Sequence, residues 1–181
     1  MPRNEPLFTY RLTPMLLALL GLAGDDARRF LARCGMPESA LEGACTVPLS
    51  RVRTLLDEAA TLRADPVIGL SLSAAVPEGT YDEAELLVRT APTIGAGLAA
   101  LARFAELINP IGSFRYDEED ATLHYLVAGQ REGLGRHMNE YTVAYVLRGL
   151  QLVADAPLVP AEAWFTHDRT EATALVEAHF G

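Results

Sequence analysis

The sequence contains no lysine. All 15 basic residues are arginine, set against 24 Asp and Glu, giving a net charge of −9 over 181 residues. A surface of that sign repels phosphate backbones and leaves the chain no electrostatic grip on DNA or RNA by itself. No apolar run reaches the roughly 18 residues that would mark a membrane span. There are only two cysteines, Cys34 and Cys45, and they form no CxxC pair. Two such thiols are not a disulfide framework for a chain of this size, and reduced thiols in a cytosolic protein are the expectation. The apolar stretch Met15 to Ala23 follows Arg3 and Arg11 and has the outline of a secretory core. Glu5 upstream and the helical pattern resuming at Asp25 argue against a signal peptide.

Catalytic signatures are missing as well. Ser50, Ser71 and Ser73 sit in helix contexts with no GxSxG elbow. Gly95-Ala96-Gly97 and Gly133-Leu134-Gly135 lack the strand–turn–helix setting of a phosphate cradle. Gly97 suits close helix packing instead. The histidines, His124, His137, His167 and His179, form no HxxxH or HxxH pair, so no metal site is expected. His137 and Glu140 share a helix face at i, i+3, which is half of a carboxylate metal motif. Its second half is absent, and both residues are expected on the charged side of their helix. No catalytic residue and no cofactor is indicated.

What is present is ordinary globular composition, 50% apolar and 22% charged, with an uneven charge distribution. Residues 1–79 carry 8 Arg against 9 acids, and residues 80–181 carry 7 against 15. A solvated acidic face is the simpler reading of this imbalance; a docking surface for a basic partner is the sharper one.

Helix signals dominate the first half. Thr13-Pro14 reads as cap and first-turn proline for a helix to about residue 20. Asp25 should cap a second helix that stops at Gly35. Residues 37–46 read as a loop or a short turn of helix. Pro48 and a Ser50 cap open a third helix, with Val52, Leu55, Leu56, Ala59 and Leu62 on one face. Asp65-Pro66 starts a short helix through Leu72. Thr80-Tyr81-Asp82-Glu83 is a capping box for a helix through Arg89. Pro92-Thr93 opens the clearest helix, with Ile94, Leu98, Leu101, Ala105 and Ile108 in one stripe, ended by Asn109-Pro110.

The period then changes. Phe114 and Tyr116, then Leu123, Tyr125 and Val127, alternate with polar residues around an acidic tip at 117–120, the pattern of a β-hairpin. A long helix is expected over 136–153, a strand over 161–167 and a final helix over 170–180. The fold class is α+β: a helical part, about 12–109, then a small antiparallel sheet with packed helices, about 110–181, in the order β-β-α-β-α. The unfilled sheet and the abrupt stop after a helix suggest the N-terminal piece of something longer.

The long helix should lie on the sheet made by 112–127 and 161–167, with Met138, Tyr141, Tyr145, Val146, Leu150, Leu152 and Val153 inward and His137, Glu140, Arg148 and Gln151 outward. Asn139 and Thr142 fall on the apolar side, where a polar group needs a partner. Either they bond neighbouring backbone, or, with Tyr125 and Tyr145 as walls, they orient a small ligand in a pocket that Gly149 leaves open. The candidate ligand-binding residues are therefore Tyr125, Asn139, Thr142 and Tyr145. Phe165 is expected in the core, and Trp164, the only tryptophan, packed on the mixed face of its strand.

Several segments, in order, resemble one family. They are Arg33-Cys34-Gly35-Met36, Ala64 to Leu70, Thr90-Ala91-Pro92-Thr93-Ile94-Gly95, Ala99 to Phe104, Ala163-Trp164-Phe165-Thr166-His167 and His179-Phe180-Gly181. Together they resemble the N-terminal, arabinose-binding-like sensor domain of AraC-type transcription regulators, in the branch of ornithine-utilisation-type regulators. The resemblance implies a cytoplasmic bacterial regulator. Its N-terminal domain would sense a small-molecule effector and form a homodimer. DNA would be reached only through a C-terminal helix-turn-helix domain absent from this sequence. A stand-alone small-molecule-binding module and an enzyme with an α+β pocket are the alternatives.

Overall fold

The computed structural model describes residues 5–154 and 156–181. Residues 1–4, including Arg3 of the secretory comparison, lie outside the described part. The described residues form an α+β fold of eight α-helices and two separate two-stranded antiparallel sheets.

The first sheet has no counterpart in the sequence reading. β1 (Leu7–Tyr10) pairs with β2 (Cys45–Pro48), setting Phe8 opposite Val47 and Tyr10 opposite Cys45. Strands of four residues show too few alternations to stand out as periodic. A 3-10 turn, Glu38–Leu41, and a short loop precede β2, so 37–44 take the expected form and only Cys45 and Thr46 belong to the strand.

The early helices form as expected but are capped differently. α1 (Thr13–Leu20) takes Leu12 as its cap residue, and the Thr13 hydroxyl is buried without a hydrogen-bond partner among the described residues. α2 (Gly24–Arg33) has no side-chain cap; Asp25 and Asp26 lie in its first turn, where their charge suits the helix N-terminus. Gly35 ends it at φ 67°, and the Arg51 guanidinium donates to the Gly35 carbonyl. α3 (Leu49–Arg63) is capped from a distance. Its Ser50 N–H donates to the Glu5 carboxylate at 2.6 Å, so Ser50 is the capped residue rather than the cap. Val52, Leu55, Leu56 and Ala59 are buried, while Leu62 is exposed.

Before α4 (Ile68–Ala75), Asp65 accepts from the Val67 N–H at 3.0 Å and from the Ser71 hydroxyl at 2.5 Å. At α5 (Asp82–Arg89) the expected capping box is replaced. Thr80 donates to the Pro77 carbonyl, and Glu85 rather than Glu83 receives the N–H groups of Gly79 and Tyr81. α6 (Ile94–Ile108) starts where the sequence places it, with the Thr93 hydroxyl accepting from the Ala96 N–H. The hairpin, β3 (Gly112–Asp117) and β4 (Thr122–Val127), pairs Phe114 with Tyr125. Its acidic tip is ordered as well as solvated, since Asp117 and Asp120 accept the N–H groups of Glu119 and Thr122.

The C-terminal part departs most. α7 (Arg136–Ala154) and α8 (Thr173–Phe180) are present, but residues 161–167 form no strand. The alternation there is real: Ala163, Phe165 and His167 are half-buried and Glu162, Trp164 and Thr166 exposed. Among the described residues no strand pairs with this segment to make it a ladder. Phe165 packs on Phe180, ring centroids 5.7 Å apart. Trp164 is 82% exposed, so it does not pack as expected.

Nor does α7 lie on a sheet. It runs along α4, with α5, α3 and α6 as further neighbours. Gly69 makes this possible: a Cβ there would stand 2.1 Å from the His137 carbonyl oxygen. A two-stranded hairpin is too narrow to cover a 19-residue helix, and the glycine lets a helix backbone do so instead. Surrounded in this way, α7 buries His137 and Glu140, contrary to their expected place on a solvated side.

Most of the core joins β1, β2, α1 to α4 and the start of α7, with Leu12, Leu16, Leu55, Leu56 and Ile68 at its centre. A smaller cluster of Leu70, Ala144, Val176 and Phe180 fixes α8 against α4 and α7.

Candidate functional site

Between β1, α5, α6, the hairpin and α7 lies a half-enclosed cavity of about 110 Å³. Its body is apolar, with Val88, Leu101, Ala105, Phe114, Met138 and Val146 among its walls. One end is lined by tyrosines and charge: Tyr10 and Arg11 from the end of β1, Tyr81 just before α5, Glu85 and Arg89 on α5, and Tyr141 and Tyr145 on α7. Apolar walls with a few convergent polar groups are the usual build of a small-molecule site.

The tyrosines are held by one another. The Tyr81 and Tyr141 hydroxyls are 2.9 Å apart. The Tyr145 ring stacks on Tyr141 with centroids 5.6 Å apart, and meets Tyr81 edge-on at 5.2 Å. Tyr145 donates to the Glu85 carboxylate at 2.8 Å. Burial pushes the Tyr81 phenol up to about 12 and raises Tyr10, Tyr141 and Tyr145 as well. All four keep their protons; Tyr145 gives its own to Glu85, and the Tyr81–Tyr141 pair uses one of its two.

Three of the four candidate ligand residues meet here. Tyr125 packs at a tilt against Phe114, ring centroids 4.7 Å apart, its ring resting over Gly112, where any Cβ would collide with it. Tyr145 and Thr142 line the opposite wall, and Gly149 leaves open space beside them. The Thr142 proton is already spent on the Met138 carbonyl at 2.7 Å. Asn139 is not part of this wall. Its side chain accepts from the Leu134 N–H at 3.0 Å and donates to the Glu132 carbonyl at 2.9 Å, fastening the loop before α7.

Among the polar lining residues the sequence reading missed are Tyr10, Arg11, Tyr81, Glu85 and Arg89. The available signal was the alternation of Phe8 and Tyr10 just upstream of the first helix. Glu85 and Tyr81 come together with α7 only through tertiary packing.

A second groove of about 460 Å³ follows residues 160–181, with Glu140 among its lining residues. Glu140 has no exposed side-chain surface; its Oε1 lies 3.0 Å from Arg136 Nε and 3.3 Å from His167 Nε2, and its Oε2 lies 3.8 Å from His137 Nδ1. Burial pushes this carboxyl up, but His137 and Arg136 together outweigh it and hold it below the usual range. Burial depresses the His167 imidazole, only partly opposed by Glu140. Among the described residues, no three such side chains converge as a metal ligand set.

A half-enclosed apolar cavity with tyrosine hydroxyls at one end has the build of a small-molecule site. The family model of the arabinose-binding domain of AraC transcription regulators, N-terminal, matches residues 24–181. The chain belongs to that family of ligand-sensing regulatory domains. No curated protein matches it. Among the described residues no helix is long and apolar enough to cross a membrane.

Proposed function

We propose that the chain is the effector-binding and dimerisation domain of a cytoplasmic bacterial AraC-type regulator of the ornithine-utilisation-like branch. In this reading, a small molecule enters the cavity between α5, α6, α7 and the hairpin. Its presence controls a DNA-binding domain attached at the C-terminal end. The observation that carries the reading is the cavity itself; its walls from Tyr81 onward lie in the part of the chain that the family match covers, and residues 8–12 add a wall from outside it. Of the sequence-derived ligand residues, Tyr125, Thr142 and Tyr145 belong to this site, and Asn139 acts as a positioning residue for the preceding loop.

Helix α7 gives the reading a route for response. One side of α7 carries Tyr141, Tyr145 and Gly149 on the cavity, and Glu140 holds His167 of the C-terminal segment. A ligand that favours one placement of α7 biases the other side too. Dimerisation follows from the family reading; the exposed Leu86 and Leu107 on α5 and α6 offer apolar surface for it.

The test is a thermal-shift screen of metabolites against the chain and its Gly149→Leu variant, which fills the open space. A true effector raises the melting temperature of the first and not of the second. Hits that stabilise both equally bind elsewhere and overturn the assignment. Sedimentation at tens of micromolar, within the range of weak association, is expected to show a dimer.

A further inference from the structure

Donors and acceptors around the cavity do not balance. Tyr10 is only 1% exposed and forms part of the wall, yet its hydroxyl has no hydrogen-bond partner among the described residues. The hydroxyls of Tyr81 and Tyr141 share a single hydrogen bond. That pair carries two protons and uses one between them, so one O–H is left over whichever residue donates. Buried donors without acceptors are costly, and native structures seldom keep them without a reason.

Charge at this end leans the same way. The Arg11 guanidinium sits over the Tyr81 ring at 5.3 Å. Its polar contacts are long, to the Thr80 carbonyl at 3.4 Å and to the exposed Asp82 carboxylate at 3.7 Å. Glu85 is already occupied by Tyr145 and by the N–H groups of Gly79 and Tyr81. The wall therefore has spare O–H and N–H donors and a loosely held cation, with its carboxylate taken. The complementary group accepts hydrogen bonds, donates none and carries negative charge.

We propose that the effector is an amphiphilic carboxylate. Its apolar body lies against Leu101 and Val146, and its head is received by the Tyr10 hydroxyl, the Tyr81–Tyr141 pair and Arg11. A carboxylate places one charge against the one loosely held guanidinium, whereas a phosphate would bring nearly two. This inference rests on the cavity being the effector site.

Octanoate, methyl octanoate, 1-octanol and octylamine share a tail and differ in head, and each is titrated by calorimetry into the full chain and its variants. Octanoate is expected to bind tightest and octylamine not at all. Tyr10→Phe should weaken octanoate about tenfold, the worth of one hydrogen bond to a charged group. The same variant should raise the melting temperature of the free protein, because it removes an unpartnered hydroxyl. Arg11→Gln should weaken octanoate and leave 1-octanol unchanged.

Alcohol or amine binding as tightly as the acid overturns the proposal, as does octanoate affinity unchanged in both variants. Equal binding of all four, lost in Gly149→Leu, overturns the carboxylate head and leaves the cavity standing as the ligand site. Absence of binding by any of the four also overturns the carboxylate assignment, and the cavity then stands or falls on the metabolite screen.

Discussion

His167 Nε2 lies 3.3 Å from the carboxylate of Glu140, a side chain with no solvent exposure at all. This contact joins the irregular C-terminal segment to the second turn of α7, the longest helix among the described residues. Arg136 completes the arrangement, reaching Glu140 at 3.0 Å and the Pro66 carbonyl at 2.9 Å. A buried ion pair is weak as a net stabiliser but costly to break on one side. Arg136→Met is therefore expected to cost about 3–5 kcal/mol, because it strands a buried carboxylate. The double variant Arg136→Met, Glu140→Leu should recover much of that loss. Urea denaturation of both variants measures the difference.

The same cluster fixes the pH dependence. The folded His167 imidazole titrates below its ordinary range, so as pH falls through that range the unfolded chain takes a proton that the folded one refuses. Stability is lost in that window. Glu140, held low in the fold, adds a second loss in stronger acid, as pH drops below the ordinary carboxylate range toward its folded value. Chemical denaturation across pH 5 to 8, the window in which an ordinary histidine titrates, should show stability rising with pH. His167→Gln should flatten that rise. A rise of equal size in His167→Gln would place its origin in another histidine.

Asn139 decides between two fates for a polar group on an apolar helix face. Its amide closes the loop before α7 by one donated and one accepted bond, and Arg53 pins the same loop by donating to the Gly133 carbonyl at 2.8 Å. Asn139→Leu is expected to destabilise the fold by roughly 1–3 kcal/mol, since the Leu134 N–H loses its acceptor inside the protein. Ligand affinity in the surviving folded fraction should stay within twofold of the parent, about 0.4 kcal/mol. Calorimetric titration below the melting transition checks this.

Where the sequence spoke clearly, one local rule was enough. Thr93 caps α6, and Phe114 and Tyr125 alternate into a hairpin, because capping and two-residue periodicity depend on neighbours in the chain. The failures share a different cause. A helical wheel assigns His137 and Glu140 to solvent because it reads hydropathy, and a buried ion pair has no hydropathic signature. The β1–β2 sheet depends on pairing across 38 residues between Phe8 and Val47, which no window of adjacent residues contains. At 161–167 the alternation is present but its partner strand is not. For the site, the α7 residues were legible as an apolar face with gaps in it; Tyr10 and Arg11 were not, since nothing local marks a strand end as a cavity wall.

Gly69 is where the backbones of α4 and α7 meet most closely. Its α-carbon faces the α7 backbone so closely that a methyl group would overlap the His137 carbonyl. Backbone cannot turn aside as a side chain can, so Gly69→Ala forces α4 and α7 apart. The intrinsic helix preference for alanine, about 1 kcal/mol, is too small to offset this. A net loss of about 1–3 kcal/mol is expected, as for other overpacked cores. Arg148, which reaches from α7 to the Ser73 and Val76 carbonyls at the end of α4, should lose these bonds at the same time. A thermal melt of Gly69→Ala that matched the parent would show that α4 and α7 slide without cost.

Glu85 and Tyr145 tie the cavity wall to the start of α5. Glu85 receives the Gly79 N–H at 2.8 Å, the Tyr81 N–H at 3.4 Å and the Tyr145 hydroxyl at 2.8 Å, and Arg89 stands 3.8 Å from it. Losing the carboxylate therefore frees the loop before α5 and one wall of the cavity together. Glu85→Gln keeps one acceptor oxygen and is expected to cost about 1–2 kcal/mol, in the range of a lost helix cap. Tyr145→Phe removes only the hydroxyl and should cost about 1 kcal/mol. Because the two groups share one hydrogen bond, their effects should not add. The double variant is expected to be more stable than the sum of the singles by about 0.5–1.5 kcal/mol. Calorimetric melting of the four proteins closes this cycle. A coupling of zero would mean that Tyr145 holds its place by its ring contacts with Tyr141 and Tyr81 and by its reach to the Pro77 carbonyl, without Glu85. The wall would then keep its shape without Glu85, and ligand affinity in Glu85→Gln would stay at the parent value.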